Sequence, residues 1–104
     1  MATVHVLAII TAKPGLRAEL LQVFKANVPA VCAEDGCIEY VATVDAEGAG
    51  AVQTRFGEDA FVVVEKWASL DALKAHAAAP HMKAYAERSK DLIASRVIHV
   101  LSPA

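Results

Sequence analysis

The chain has little of what marks secreted scaffolds, tails or membrane anchors. Cysteine occurs twice in 104 residues, too few for a disulfide framework. Cys32 and Cys37 lie five apart, so they form no Cys-x-x-Cys pair, and both are expected to be buried or half-buried free thiols. No apolar run approaches the ~20 residues that span a bilayer. The amino-terminal stretch has no basic region ahead of its apolar run and reads as strand, not signal peptide. Lys+Arg number 10 against 12 Asp+Glu, and neither sign is blocked. A nucleic-acid footprint and a basic membrane-surface helix are therefore not expected. Residues 46–51, AEGAGA, lack the glycine spacing and the lysine of a phosphate loop. No dinucleotide fingerprint follows the first strand, and no Gly-x-Ser-x-Gly elbow occurs. A soluble, cytoplasmic protein is the expectation.

Apolar residues are abundant instead. They make up 56% of the chain, and mean hydropathy is +0.38. A chain of this size forms one domain, here taken as residues 1–104, and buries only roughly 60–70% of its unfolded surface. Some of the apolar content must meet a second chain or a ligand.

Residues 3–11 read as a strand with both faces apolar: Val4, Val6, Ala8 and Ile10 on one, His5, Leu7 and Ile9 on the other. Pro14 suits the first turn of a helix, whose stripe runs Leu16, Leu20, Leu21, Val23, Phe24, Val28 and Val31. Pro29 predicts a kink or restart near Val28. Glu34-Asp35-Gly36 reads as the stop signal. Strands follow at 37–44 and 60–67, separated by a long loop, 46–59, with three glycines. Such loops often serve as lids or partner contacts. Ser69 caps a helix running through Leu73 to Ala79. Pro80 interrupts it, a second helical segment spans 81–94, and a last strand spans 96–101.

The order βαββαβ predicts an α+β, ferredoxin-like antiparallel sheet with its helices on one face. The strands are apolar on both sides, so the uncovered face predicts a homodimer with the two sheets face to face.

Four histidines offer chemistry. His5 and His99 fall on neighbouring strands, with no carboxylate beside either to complete a metal site. His76 and His81 diverge by about 140° on one straight helix, so they are not a helical metal pair, and no metal is expected. The break at Pro80 could aim both rings at one cavity, where a neutral imidazole serves as base or donor. Otherwise His76 is a partly exposed helical residue and His81 a helix-start residue. Tyr40, Trp67 and Tyr85 are either core aromatics with satisfied polar tips or the walls of a pocket for a flat ring. Glu65 shares an apolar face with Phe61, Val63 and Trp67. It must be paired, as in a salt bridge across a dimer, or lie at an edge.

Lys13-Pro14-Gly15, Val28-Pro29, Gly36-Cys37 with Tyr40, Val44-Asp45, Glu65-Lys66-Trp67 and His76 with Pro80-His81-Met82-Lys83-Ala84-Tyr85 together resemble the antibiotic biosynthesis monooxygenase domain. The likeness is strongest to its YgiN-type quinol monooxygenases and covers nearly the whole chain. It implies a dimeric α+β barrel acting on a small quinol or phenolic aromatic with O2, without metal or flavin. The candidate base is His76 or His81. The candidate substrate-binding residues are Tyr40, Glu65, Trp67, Met82 and Tyr85. The haem-degrading branch of the family needs an axial histidine just beyond Tyr85, where this sequence has Ala86, and an asparagine near Ala8, which is absent. An isomerase or lyase of a small enolisable carbonyl compound could use the same base and donor without oxygen. A non-catalytic small-molecule-binding dimer module is a third reading.

Overall fold

The computed structural model describes residues 2–104. Strand β1 (Val4–Ala12) leads through a turn to helix α1 (Arg17–Cys32), then β2 (Cys37–Thr43) and β3 (Ala60–Trp67). Helices α2 (Leu70–Ala78) and α3 (Pro80–Ser89) precede β4 (Ile93–Leu101). The four strands form one antiparallel sheet in the order β2-β3-β1-β4. This is the ferredoxin-like arrangement that the element order predicts.

Alternation sets the two faces. Val4, Val6, Ala8, Ile10 and Ala12 are buried, and their opposite numbers on β3 include Trp67, Glu65, Val63 and Phe61. That side receives α1, whose buried positions Leu20, Phe24, Asn27 and Val31 step by four, three and four and so share one helical face. Fully burying side chains such as Leu20 and Phe61 contributes about 1.5–3 kcal/mol each. The outer face carries Leu7, Ile9, Val64 and Val62 at its centre, flanked by Val41 and Val97. Val41 and Val97 are about half exposed, at 46% and 48%. The apolar second face expected from the strands is therefore present. His5 and His99 also lie on this face, opposite Leu101 and Leu7.

Several local expectations change. Pro14 lies in the turn ahead of α1, where Gly15 takes φ +79° and donates its N–H to Asp59 Oδ1 at 3.0 Å. Helix α1 runs through Pro29 without interruption. Helix α3 stops at Ser89 rather than Ala94. The Leu92 N–H returns to the Ser89 carbonyl, and the β-branched Ile93 already pairs with Ala12. Leu92 is thus a turn residue and Ile93 a strand residue. Cys32 is exposed at the end of α1, while Cys37 is half-buried.

The loop 46–59 folds on itself. The Asp45 carboxylate accepts from the N–H groups of Phe56 and Gly57 at 3.0 and 2.9 Å. These two bonds hold its carboxyl below the usual carboxylate range. No residue of the loop reaches the cavity described next.

Candidate active site

A cavity of about 350 Å³ opens between the helices and the sheet. It exists because the helices leave the β4 margin bare. Arg96, Ile98 and Val100 face the helix side through their pairing with Ile10, Ala8 and Val6, yet all three are exposed. The walls include Val6, Ala8, Phe24 and Met82, with Tyr40, Glu65, His76, Lys83, Tyr85 and Arg96 as polar groups. An apolar chamber with a few convergent polar groups is the usual form of a small-molecule site.

His76 is 5% exposed, not the partly exposed residue that the plain helical reading suggests. Its ring lies 4.6 Å from the Trp67 ring at 33°, and 5.5 Å from the Tyr40 ring near edge-on. Its Nδ1 is 2.9 Å from Glu34 Oε2, and His81 Nε2 is 2.6 Å from the same oxygen. A carboxylate offers only acceptors, so each ring donates to it. In the neutral ring Nδ1 then carries the proton of His76, which puts the lone pair on Nε2.

The convergence of the two rings has a local cause. α2 ends at Ala78, Ala79 is extended at φ −65° and ψ 143°, and Pro80 starts α3. Proline disfavours a helical residue before it, so the chain turns there and brings His81 back beside His76. Glu34 arrives from the α1–β2 turn. Gly36 in that turn has φ +84°, and a Cβ there would sit 2.6 Å from the Ala72 Cβ of α2. Its carbonyl also accepts from the Ala68 N–H at 2.8 Å. Only glycine fits both the backbone conformation and the approach.

Among the described residues of this chain Glu65 has no salt-bridge partner. It accepts the Trp67 indole N–H at 2.9 Å. Burial raises its carboxyl above the ordinary value, against the lowering effects of that bond and of His76. Burial likewise pushes the Tyr40 phenol far up, and Glu65 adds to the shift. Tyr85 is raised by burial as well. Both phenols therefore keep their protons at neutral pH. Phe24 stacks on Tyr40 at 5.4 Å and meets Tyr85 edge-on at 6.0 Å, fixing both rings.

Of the seven site residues expected from sequence, the cavity lining takes in Tyr40, Glu65, His76, Met82 and Tyr85. Trp67 is fully buried behind it, where it anchors Glu65 and supports His76 instead of forming a wall. His81 lies outside the lining and contacts Glu34. Two more residues belong here: Glu34, which in the sequence reads as part of a helix stop, and Arg96, which reads as an ordinary strand residue. Topology held the signal for Glu34. β2 begins opposite the end of β3, with Cys37 paired to Trp67, so the turn before β2 and the helix after β3 share one end of the sheet. Strand alternation held the signal for Arg96.

Comparison with known proteins agrees with this architecture. Residues 3–88 match the antibiotic biosynthesis monooxygenase family. The chain is 38% identical over 100 residues to the Escherichia coli protein named "Probable quinol monooxygenase YgiN", covering 94% of this chain and 95% of that protein. Its fold superposes on PA3566 from Pseudomonas aeruginosa with TM-score 0.82 at 25% identity, covering 100% of this chain and 96% of the other. Rv0793 from Mycobacterium tuberculosis gives TM-score 0.79 at 27% identity, over 99% and 96% of the two chains. With its ferredoxin-like sheet and the cavity beneath its helices, this chain belongs to the antibiotic biosynthesis monooxygenase family.

Proposed function

We propose that the protein is a cofactor-independent monooxygenase that oxidises a small quinol or phenolic aromatic with O2. The observation that supports it most is His76 in the cavity wall with its Nδ1 proton held by Glu34. That arrangement leaves Nε2 as an acceptor, which is what a general base needs. The family membership and the quinol-monooxygenase relative point the same way.

The chemistry follows from the substrate. His76 Nε2 takes a phenolic proton and the ring becomes an imidazolium facing Glu34. The electron-rich anion passes one electron to O2, and the radical pair joins at a ring carbon as a peroxide. Breaking the O–O bond and losing that carbon's hydrogen with water leaves a carbonyl. Quinol plus O2 thus becomes hydroxyquinone plus water. The substrate supplies every electron, so the balance needs no external reductant. Tyr40 and Tyr85 donate to the developing oxyanion, and the Arg96 cation favours it. The apolar walls exclude water from the radical pair.

The proposal includes a homodimer formed through the outer sheet face. The test of the reaction is oxygen uptake with hydroquinones and naphthoquinols, corrected for autoxidation. Enzyme-dependent uptake that disappears in a folded His76→Ala variant is expected. Uptake unchanged in that variant overturns the base assignment.

A further inference from the structure

The meeting of Glu34, His76 and His81 has a chemistry of its own. Glu34 Oε2, His76 Nδ1 and His81 Nε2 lie within 4.8 Å of one another, and they come from three separate elements. Two imidazoles and one carboxylate suit divalent ions of the zinc, nickel and cobalt kind. A zinc-class ion with bonds of about 2.0–2.2 Å sets tetrahedral ligand atoms about 3.4 Å apart. The two N–O separations are 2.9 and 2.6 Å, and all three ligand atoms lie within 4.8 Å, so the carboxylate draws back by about 0.5–0.8 Å and the two rings close toward each other to admit the ion. The cluster is reachable from solvent. The side chains of His81 and Glu34 are 29% and 13% exposed, against 7% for His76. The divergence of His76 and His81 on one straight helix does not apply here, because the extended Ala79 separates α2 from α3.

We propose that Glu34, His76 and His81 form a site for one divalent transition-metal ion, with solvent completing the coordination. The site lies outside the cavity. Of its three ligands only His76 is part of the cavity lining. An ion held there does not meet a substrate in the cavity directly, and it acts on the cavity only through the His76 ring. When the metal occupies Nδ1, the proton that His76 shares with Glu34 moves to Nε2. His81 likewise moves its proton from Nε2 to Nδ1. No net proton is released, but His76 now presents a donor to the cavity where it had presented an acceptor. Metal occupancy and the base role are therefore exclusive, and a bound ion switches the base off.

The binding claim stands on three side chains and does not depend on the oxidation reaction. Its test is equilibrium dialysis of chelator-stripped full-length protein against zinc, with cobalt(II) absorption spectra to read coordination. One zinc per chain is expected, with a cobalt spectrum distinct from the free ion. Folded His81→Ala and Glu34→Gln variants should bind at least about 100-fold more weakly, beyond the loss seen on removing a partner of a metal ligand. His99→Ala, remote on the outer sheet face, should bind as wild type. Absence of retained zinc, or unchanged affinity in His81→Ala, overturns the site. Zinc binding in a protein that oxidises no quinol would leave the site standing and remove the reaction.

Discussion

Replacing Glu34 by alanine removes the acceptor that His76 and His81 share. Glu34 Oε2 is 2.9 Å from His76 Nδ1, and it holds the imidazole in the tautomer that exposes a lone pair on Nε2. When Nε2 takes the substrate proton, the same carboxylate faces a positive ring. A hydrogen bond to a charged group contributes about 1.5–3 kcal/mol net. Its loss in the transition state slows kcat/KM by roughly 10- to 150-fold. Glu34 is outside the cavity lining, so KM should stay within about twofold and the loss should fall on kcat. Glu34→Gln keeps an acceptor but not the charge, and should fall between wild type and alanine. The assay is steady-state oxygen uptake on metal-free protein, with circular dichroism to confirm folding. A folded Glu34→Ala variant with wild-type kcat/KM would refute the orienting role.

Four further substitutions have outcomes set by the same structure. Gly36→Ala should destabilise by about 2–5 kcal/mol, combining the left-handed backbone cost with overpacking against Ala72. Gly15→Ala, at φ +79° with nothing within 4 Å of a new Cβ, should lose only about 1–2 kcal/mol in the same urea titrations. Because burial raises Glu65 above its ordinary 4.5, the folded chain holds a proton there that the unfolded chain releases. Its ionisation therefore costs stability as pH rises from 4.5 through the folded value. Glu65→Gln should gain stability over wild type across that window, and the gain should vanish at lower pH. A gain independent of pH in thermal melts would contradict this. Ile9→Lys places a charge in the middle of the apolar outer face. It should turn a wild-type dimer into a folded monomer by light scattering, whereas a monomeric wild type would remove the dimer altogether.

Much of the fold was legible because it rests on alternation. Residues 60–67 have the boundaries of β3, and the two apolar faces of β1 follow from its period of two. Ser69 caps α2 through the Ala72 N–H at 3.1 Å, as its position suggests. The misses come from tertiary effects. α1 continues through Pro29 because its buried residues on both sides, Asn27 and Val31, keep one packed face. α3 gives way to β4 early because Ile93 finds a partner in Ala12. At the site, His76 and the two tyrosines are visible as residue types in an apolar context. Glu34 is separated from His76 by 42 positions, and only the sheet order brings them together. Trp67 has the right composition for a pocket wall, but its depth beneath His76 comes from packing, which periodicity does not report.

The most direct test of the central claim is turnover of chelator-treated protein with a naphthoquinol under heavy-isotope dioxygen, with products analysed by mass spectrometry. The account predicts oxygen uptake that survives chelation, one labelled oxygen atom in the quinone product and the other in water. Uptake that is lost on chelation and restored by added metal, or a product carrying no label, would contradict it.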